Sequence, residues 1–170
     1  ALPASLKRIE TAAFYLSAIK GNLALPEGLE YIGKSAFGNC SGLTGSLTIP
    51  SGVHIIYESS FKFCGFTGNL TLPMGLTEIQ SWAFCLTNFK GELNIPSTVT
   101  TIGDGAFQST EFNGTLVLPE ELISLGSCVF RSCWRLSGVV EIPENIVAIP
   151  SQLFCNCKNI EGIVLHKDVE

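Results

Sequence analysis

The chain has 170 residues, of which 46% are hydrophobic and 15% are charged, and its formal net charge at pH 7 is −5. A compact domain of this length needs more charge to cover its surface, so the composition favours an elongated fold whose faces are formed by small polar residues. The longest basic run is Lys7-Arg8, and no apolar run approaches the roughly 18 residues of a membrane span, which argues against nucleic-acid binding and membrane insertion.

Proline is the first element that repeats along the chain. Seven prolines recur at intervals of 23 or 24 residues: Pro3, Pro26, Pro50, Pro73, Pro96, Pro119 and Pro143. Pro150 lies outside this series, and His166 stands where the next proline is due. A fixed period of this length is typical of a solenoid, in which each repeat forms one coil.

Apolar residues follow each proline at fixed distances. Aliphatic residues lie three and six positions after it, and phenylalanine lies eleven positions after it, as Phe14, Phe37, Phe61, Phe84, Phe107, Phe130 and Phe154. This invariant phase predicts one inward pocket in every coil, so we expect the seven rings to stack in a single column. The surrounding segments IGKSAF, IQSWAF and IGDGAF predict a helical or 3₁₀ turn on the side opposite the strands.

Each coil closes with a glycine and a short strand that ends at the next proline. The closings read GNLALP, GSLTIP, GNLTLP, GELNIP, GTLVLP, GVVEIP and GIVLH. Their alternation has the two-residue period of a strand, and proline ends the strand because it has no N–H to donate. The pairs from Leu23/Leu25 to Ile163/Leu165 are predicted to face inward. The intervening residues face outward: Asn22/Ala24, Ser46/Thr48, Asn69/Thr71, Glu92/Asn94, Thr115/Val117, Val139/Glu141 and Gly162/Val164.

Burial explains why these repeats must stack. One coil cannot close a core around its own apolar residues, whereas stacked coils cover one another along a continuous axis. The sequence therefore predicts a single solenoid domain over residues 1–170, with seven coils and one parallel sheet. Neither end carries the polar cap of a terminal repeat, so we expect this domain to be part of a longer protein.

The segments LPEGLEYIGKSAFGNC and LTIPSGVHIIYESSFKFC carry a pattern that resembles the BspA-type leucine-rich repeat, and the likeness covers the whole chain. The resemblance implies a leucine-rich-repeat solenoid, α/β horseshoe-like and rich in β-structure, in a surface or secreted protein of host-associated anaerobic bacteria or parasitic protists. It also implies adhesion to host or microbial macromolecules. Two features depart from the family pattern: glycines inserted before the strands (Gly45, Gly68 and Gly91) and His166 in a proline position. Because the family has no universal binding motif, the ligand stays open.

The outward strand residues form the candidate ligand surface, since solenoids usually bind through such a face. Its predicted centre is a small polar stripe: Thr48, Thr71, Glu92, Asn94 and Thr115. One interpretation is an extracellular or cell-surface module that binds or adheres to protein or glycan ligands. The alternatives are a structural spacer that presents another domain, and a stripe that merely suits a solvated strand. The polar residues follow the repeat phase instead of converging on a cleft, so we expect neither catalysis nor a bound cofactor or metal.

Cysteine, histidine and tryptophan are the other candidates for chemistry. Cys40, Cys64, Cys133 and Cys157 share a position that holds Ser or Thr in other coils, which favours a small buried niche. Bridges Cys40–Cys64 and Cys133–Cys157 are the alternative, because neighbouring coils lie within disulfide range. A zinc site at Cys155 and Cys157 lacks further ligands. His54 and His166 are expected to be exposed and unrelated to catalysis, and Trp82 and Trp134 are either ligand anchors or partly buried residues at the turns.

Overall fold

The computed structural model describes residues 2–167 and 169, and these residues wind into a stack of coils built from short parallel strands. The strands are β1 Arg8–Ile9, β2 Gly21–Asn22, β3 Tyr31–Ile32, β4 Leu43–Thr44, β5 Leu47–Thr48, β6 Ile55–Ile56, β7 Leu70–Thr71, β8 Glu78–Ile79, β9 Thr101–Ile102, β10 Gly114–Thr115, β11 Ser124–Leu125, β12 Leu136–Glu141 and β13 Asn159–Val164. The solenoid prediction is confirmed.

The strands form two columns along the stack. The leading column (β1, β3, β6, β8, β9 and β11) begins five residues after each proline, and the closing column contains the other strands. Every pairing is parallel and joins neighbouring coils, as Thr48 does with Thr71, 23 positions later. The predicted single sheet is divided into five sheets of two to four strands. Two-residue strands joined by turns cannot sustain one continuous ladder.

The turn opposite the closing strands is not helical, and the prediction of helical or 3₁₀ turns is wrong for the described residues. The ninth and thirteenth residues after each proline have left-handed backbones, as at Trp82 (φ 56°) and Leu86 (φ 57°). The Trp82, Phe84 and Leu86 N–H groups donate to the next coil at 2.8, 2.8 and 2.9 Å, while the N–H groups of Ala83 and Cys85 donate to the carbonyl three residues earlier and close four-residue turns. A helix requires consecutive right-handed residues with every N–H directed along its own axis, so alternating donors to a neighbouring coil replace it.

Phenylalanine forms the axis of the core, as the repeat phase predicts. The seven rings from Phe14 to Phe154 stack face to face, with neighbouring centroids 5.1 to 5.8 Å apart. A second, shorter column of Phe66, Phe89 and Phe112 meets the first edge-on at 6.1 to 6.3 Å. Offset stacks and edge contacts are the favourable geometries for aromatic rings, so the two columns hold six central rings by both a stacked and an edge-on neighbour.

The alternation of the closing strands is also confirmed in the central coils, where the inward residues Leu47, Leu70, Leu116 and Val140 are buried. The outermost coils differ. Leu23 and Leu25 are half-buried, and Ile163 and Leu165 were predicted to face inward but are 40% and 50% exposed. The physical reason is that burial in a solenoid comes from the neighbouring coil, and no described residue covers the far side of the last one.

Candidate functional site

The closing strands present two rows of side chains on the side away from the core. We call these rows the outer face; they contain the first and third residues after each closing glycine and, in the last coil, their register partners Gly162 and Val164. All five predicted site residues lie on the outer face and are exposed: Thr48, Thr71, Glu92, Asn94 and Thr115. Thr48 and Thr71 are register partners, and Glu92 forms an isolated bridge with Asn113. Coils about 4.8 Å apart therefore bring residues from four coils into one patch.

The five predicted site residues differ from several threonines elsewhere in the fold in their side-chain hydrogen bonding. Thr98 Oγ1 donates to the Leu76 carbonyl at 2.6 Å, and Thr77 Oγ1 donates to the His54 carbonyl at 3.1 Å. By contrast, the five predicted site residues make no side-chain hydrogen bond or ion pair with any of the residues 2–167 and 169. Their donors and acceptors are therefore available to a ligand without loss of an internal contact.

Valine replaces the polar residues of the outer face in its C-terminal part. Val117, Val139 and Val164 are 71%, 46% and 48% exposed, and the polar stripe predicted from the sequence does not include them. A recess of about 690 Å³ opens here, and we call it the C-terminal recess; its lining includes Thr115, Val117, Glu120, Val139, Glu141 and Glu144. The alternation of GTLVLP and GVVEIP already places Val117 and Val139 outward, and the fold brings these two valines into the lining of one recess, where they form its apolar floor.

The shared cysteine position is a buried donor niche. The Cys40 and Cys64 thiols donate to the carbonyls of Phe14 and Phe37 in the preceding coil, both at 3.0 Å. Thr87 fills the same position and donates to the carbonyl of Phe84 at 2.7 Å. A slot that suits a small donor explains why Cys and Thr exchange there, whereas Ser17, in the first coil, instead accepts a hydrogen bond from the Ile19 N–H at 3.3 Å.

No disulfide forms in this structure, since all seven cysteines are free. Each thiol in the shared position points the same way, toward the preceding coil, so a bridge would require one of the two to turn back. Burial raises the pKa of Cys64 to about 12 and that of Cys157 to about 11. These thiols therefore stay protonated and unreactive at neutral pH.

The remaining candidates do not assemble into a reactive cluster. His54 is exposed, as predicted, and its Nδ1 lies 2.8 Å from the Gly75 carbonyl. His166 is half-buried instead of exposed, because in the proline position its Nε2 lies 3.1 Å from the Ile146 carbonyl. Among the residues 2–167 and 169, no three His, Cys, Asp or Glu side chains are grouped to hold a metal ion.

The two tryptophans lie at the turns and remain partly exposed. Trp82 is 39% exposed with Lys62 Nζ 5.2 Å from its ring, and Trp134 is 46% exposed with Arg135 Cζ 4.4 Å from its ring. Both interpretations of the tryptophans therefore stay open. No helix among the described residues is long and apolar enough to cross a bilayer.

Comparison with known proteins identifies the repeat. The model of the BspA-type leucine-rich repeat region matches residues 1–112 and 88–170, with six copies of the repeat. Comparison with curated proteins finds no significant match.

Three bacterial proteins of known structure share the fold. A leucine-rich repeat protein from Bacteroides ovatus gives a TM-score of 0.72 at 23% identity, over 96% of this chain and 48% of that chain. A leucine-rich repeat protein from T. pallidum gives 0.69 at 26% identity, over 94% and 75% of the two chains. A leucine-rich cell surface protein from Faecalibacterium prausnitzii gives 0.67 at 21% identity, over 97% and 52%. This chain thus spans about half the length of the B. ovatus and F. prausnitzii proteins.

Proposed function

The chain belongs to the BspA-type leucine-rich repeat family, and on that premise we propose that it is a non-catalytic binding module of an extracellular or cell-surface protein. Its outer face recognises a protein or glycan ligand on a host or microbial surface. The F. prausnitzii protein, which shares the fold, is named as a cell surface protein, and this supports the location outside the cell.

One observation carries the proposal: the side-chain hydrogen-bonding groups of Thr48, Thr71, Asn94 and Thr115 have no partner among the described residues and lie together on one strand face. Several threonines elsewhere in the fold, such as Thr77 and Thr98, do have a side-chain partner. They are held on a backbone ladder that is fixed by parallel pairing and by the stacked phenylalanine rings. A rigid surface with free donors and acceptors binds with little loss of entropy. Short side chains also lose little rotamer freedom when they are ordered.

The same surface predicts how strength is achieved. Each hydrogen bond to a neutral group contributes about 0.5–1.5 kcal/mol, so useful affinity requires contacts from several coils together. Glu92 is the single charged residue among the five predicted contacts. Binding at this stripe should therefore depend only weakly on salt, unlike binding at a phosphate or heparin site.

The test begins with an array of glycans and extracellular-matrix proteins, and each ligand found is measured against two variants. The first variant is Thr48→Lys, Thr71→Lys and Asn94→Lys, which crowds the outer face in three successive coils. The second is Thr11→Lys, Gln152→Lys and Asn156→Lys. It adds the same three charges at exposed turn positions away from the outer face, and therefore controls for charge and for folding.

We expect the first variant to lose at least about 90% of the binding, a cost of about 1.4 kcal/mol or more, while the second binds normally. Equal binding by both variants would remove the outer face as the site and direct attention to the turn edge near Trp82.

A structural spacer is the second candidate, and the continuous phenylalanine column favours it because a ladder of stacked rings stiffens the whole stack. A spacer binds nothing on the array. Its role would then be measured by grafting the segment between two fluorescent domains and determining whether their separation stays fixed.

A further inference from the structure

The outer face changes its chemistry between the fourth and fifth coils. In the first four coils its residues are small or polar, from Asn22 and Ala24 to Glu92 and Asn94. In the last three coils Val117, Val139 and Val164 appear among them, and each is about half exposed or more. Val117 and Val139 line the same recess. Monomeric proteins scatter single exposed apolar residues, but apolar residues grouped within a polar rim mark an interaction surface.

The rim of this patch carries charge of one sign. Glu120, Glu141 and Glu144 line the C-terminal recess, and no lysine or arginine lines it. None of these three carboxylates forms an ion pair within the part of the chain that the structure describes. Other glutamates do have such partners: Glu30 lies 2.9 Å from Lys7 and Glu58 lies 2.7 Å from Lys34.

An apolar floor with an unpaired acidic rim selects its occupant by charge complementarity. An acidic or phosphorylated segment would be repelled, and an uncharged one would leave the carboxylates without partners. A lysine or arginine has both an apolar stem that covers valine and a cationic head that reaches a carboxylate. The recess has about 690 Å³ of space, which accommodates several side chains.

From these observations we propose that the C-terminal recess binds a basic segment of a partner protein, one in which lysine or arginine residues are interspersed with apolar residues in an extended chain. The inference rests on the proposed function, since it assigns a ligand class to one part of the outer face. The apolar side chains pack on Val117 and Val139, and the cationic groups pair with Glu120, Glu141 and Glu144. This part of the outer face is salt-sensitive, whereas the polar stripe of the earlier coils is not.

A library of displayed random peptides of about twelve residues is the probe, and it is selected on three forms of the full chain. These are the wild type, a recess variant with Glu120→Gln, Glu141→Gln and Glu144→Gln, and a control variant with Glu10→Gln, Glu27→Gln and Glu30→Gln. The control removes the same charge from exposed glutamates of the first two coils. A fourth form, Val117→Thr with Val139→Thr, tests the apolar floor without changing the charge.

We expect the wild type and the control to enrich peptides that combine two or more basic residues with apolar ones. These peptides should bind the recess variant about tenfold or more weakly, and the valine variant should also weaken them. Enriched peptides without basic residues, basic peptides that bind all four forms equally, or no enrichment above the recess variant would each overturn the inference.

The two proposals fail in different ways. Array ligands that survive Thr48→Lys, Thr71→Lys and Asn94→Lys overturn the polar stripe as the site, whereas basic peptides that the recess variant still binds overturn the basic-segment assignment, whatever the stripe binds. None of these three lysine positions lines the recess.

Discussion

Replacing Phe107 by alanine perturbs the core at the point where the two aromatic columns meet. The ring is completely buried, stacks on Phe84 and Phe130 at 5.6 and 5.8 Å, and meets Phe112 edge-on at 6.1 Å. Truncating a buried phenylalanine costs about 3–5 kcal/mol. Because three ring contacts of about 0.5–1.5 kcal/mol each are lost with it, we expect a value in the upper half of that range.

Phe154→Ala supplies the internal comparison. This ring belongs to the same column, but it is half-buried and stacks on a single neighbour, Phe130, at 5.6 Å. With one ring contact instead of three and less area removed from water, its loss should be about 2 kcal/mol or less.

Chemical denaturation followed by far-ultraviolet circular dichroism measures both variants. Stability in a solenoid is close to a sum of coil and interface terms, so the slope against denaturant must be checked for a loss of cooperativity before free energies are compared. A loss below about 1 kcal/mol for Phe107→Ala, or equal losses for the two variants, would refute the account of the core as one ladder of rings.

Three further predictions concern the niche, the turns and the outer face. Burial raises the pKa of Cys64 from 9.0 to about 12. The protonated thiol therefore stabilises the fold below pH 9.0, and that stabilisation is lost as the pH rises toward 12. In a series of unfolding free energies measured against pH, Cys64→Ser should lessen the loss of stability above pH 9.0, and an unchanged dependence on pH would contradict the prediction. Gly33→Ala should cost about 1–3 kcal/mol, because an added Cβ would lie 2.5 Å from the backbone nitrogen of Thr11. Gly28→Ala should cost less than about 1 kcal/mol, because the nearest atom is the flexible Lys7 Nζ at 3.4 Å; equal melting temperatures of the two variants would show that the close backbone approach is unimportant. Thr98→Val should cost about 1 kcal/mol of unfolding free energy because the Thr98 hydroxyl donates to a carbonyl at 2.6 Å. Thr71→Val should change the unfolding free energy by less than about 0.5 kcal/mol. Equal losses for the two variants in chemical denaturation would mean that the Thr71 hydroxyl has a structural partner.

Periodicity in the sequence specified most of the architecture. A proline every 23 or 24 residues defined the coils, the phenylalanine phase predicted the axial column, and the alternation in the closings predicted which residues face outward. These features share one cause: a solenoid repeats the same burial in every coil, so each position is sampled seven times in one sequence.

The turns could not be predicted in the same way. Their left-handed positions are occupied by residues such as Ala12, Phe63 and Trp82, with glycine at only one of them, Gly105. Residue type alone does not signal a left-handed backbone when glycine is absent, and hydrogen bonds to the next coil, at 2.8 Å for Trp82, determine it instead. Propensity for a helix therefore loses to contacts between coils.

The second aromatic column and the recess escaped prediction for a different reason. Phe66, Phe89 and Phe112 occur in three coils only, so they have too few repeats to stand out as a pattern. The valines at 117 and 139 were placed outward by alternation, but their exposed fractions of 71% and 46% depend on how the neighbouring coils lie. Features that belong to particular coils are the ones that a repeat pattern cannot supply, and here they carry the proposed ligand class.

Mapping amide chemical-shift changes when a ligand from the array is added tests the central claim, that the outer face is the binding surface, most directly. We predict that the shifts concentrate on Thr48, Thr71, Asn94 and Thr115 and on their neighbours in the closing strands, with the turn around Trp82 unchanged. Shifts that centre on Trp82 and leave the closing strands unaffected would contradict it.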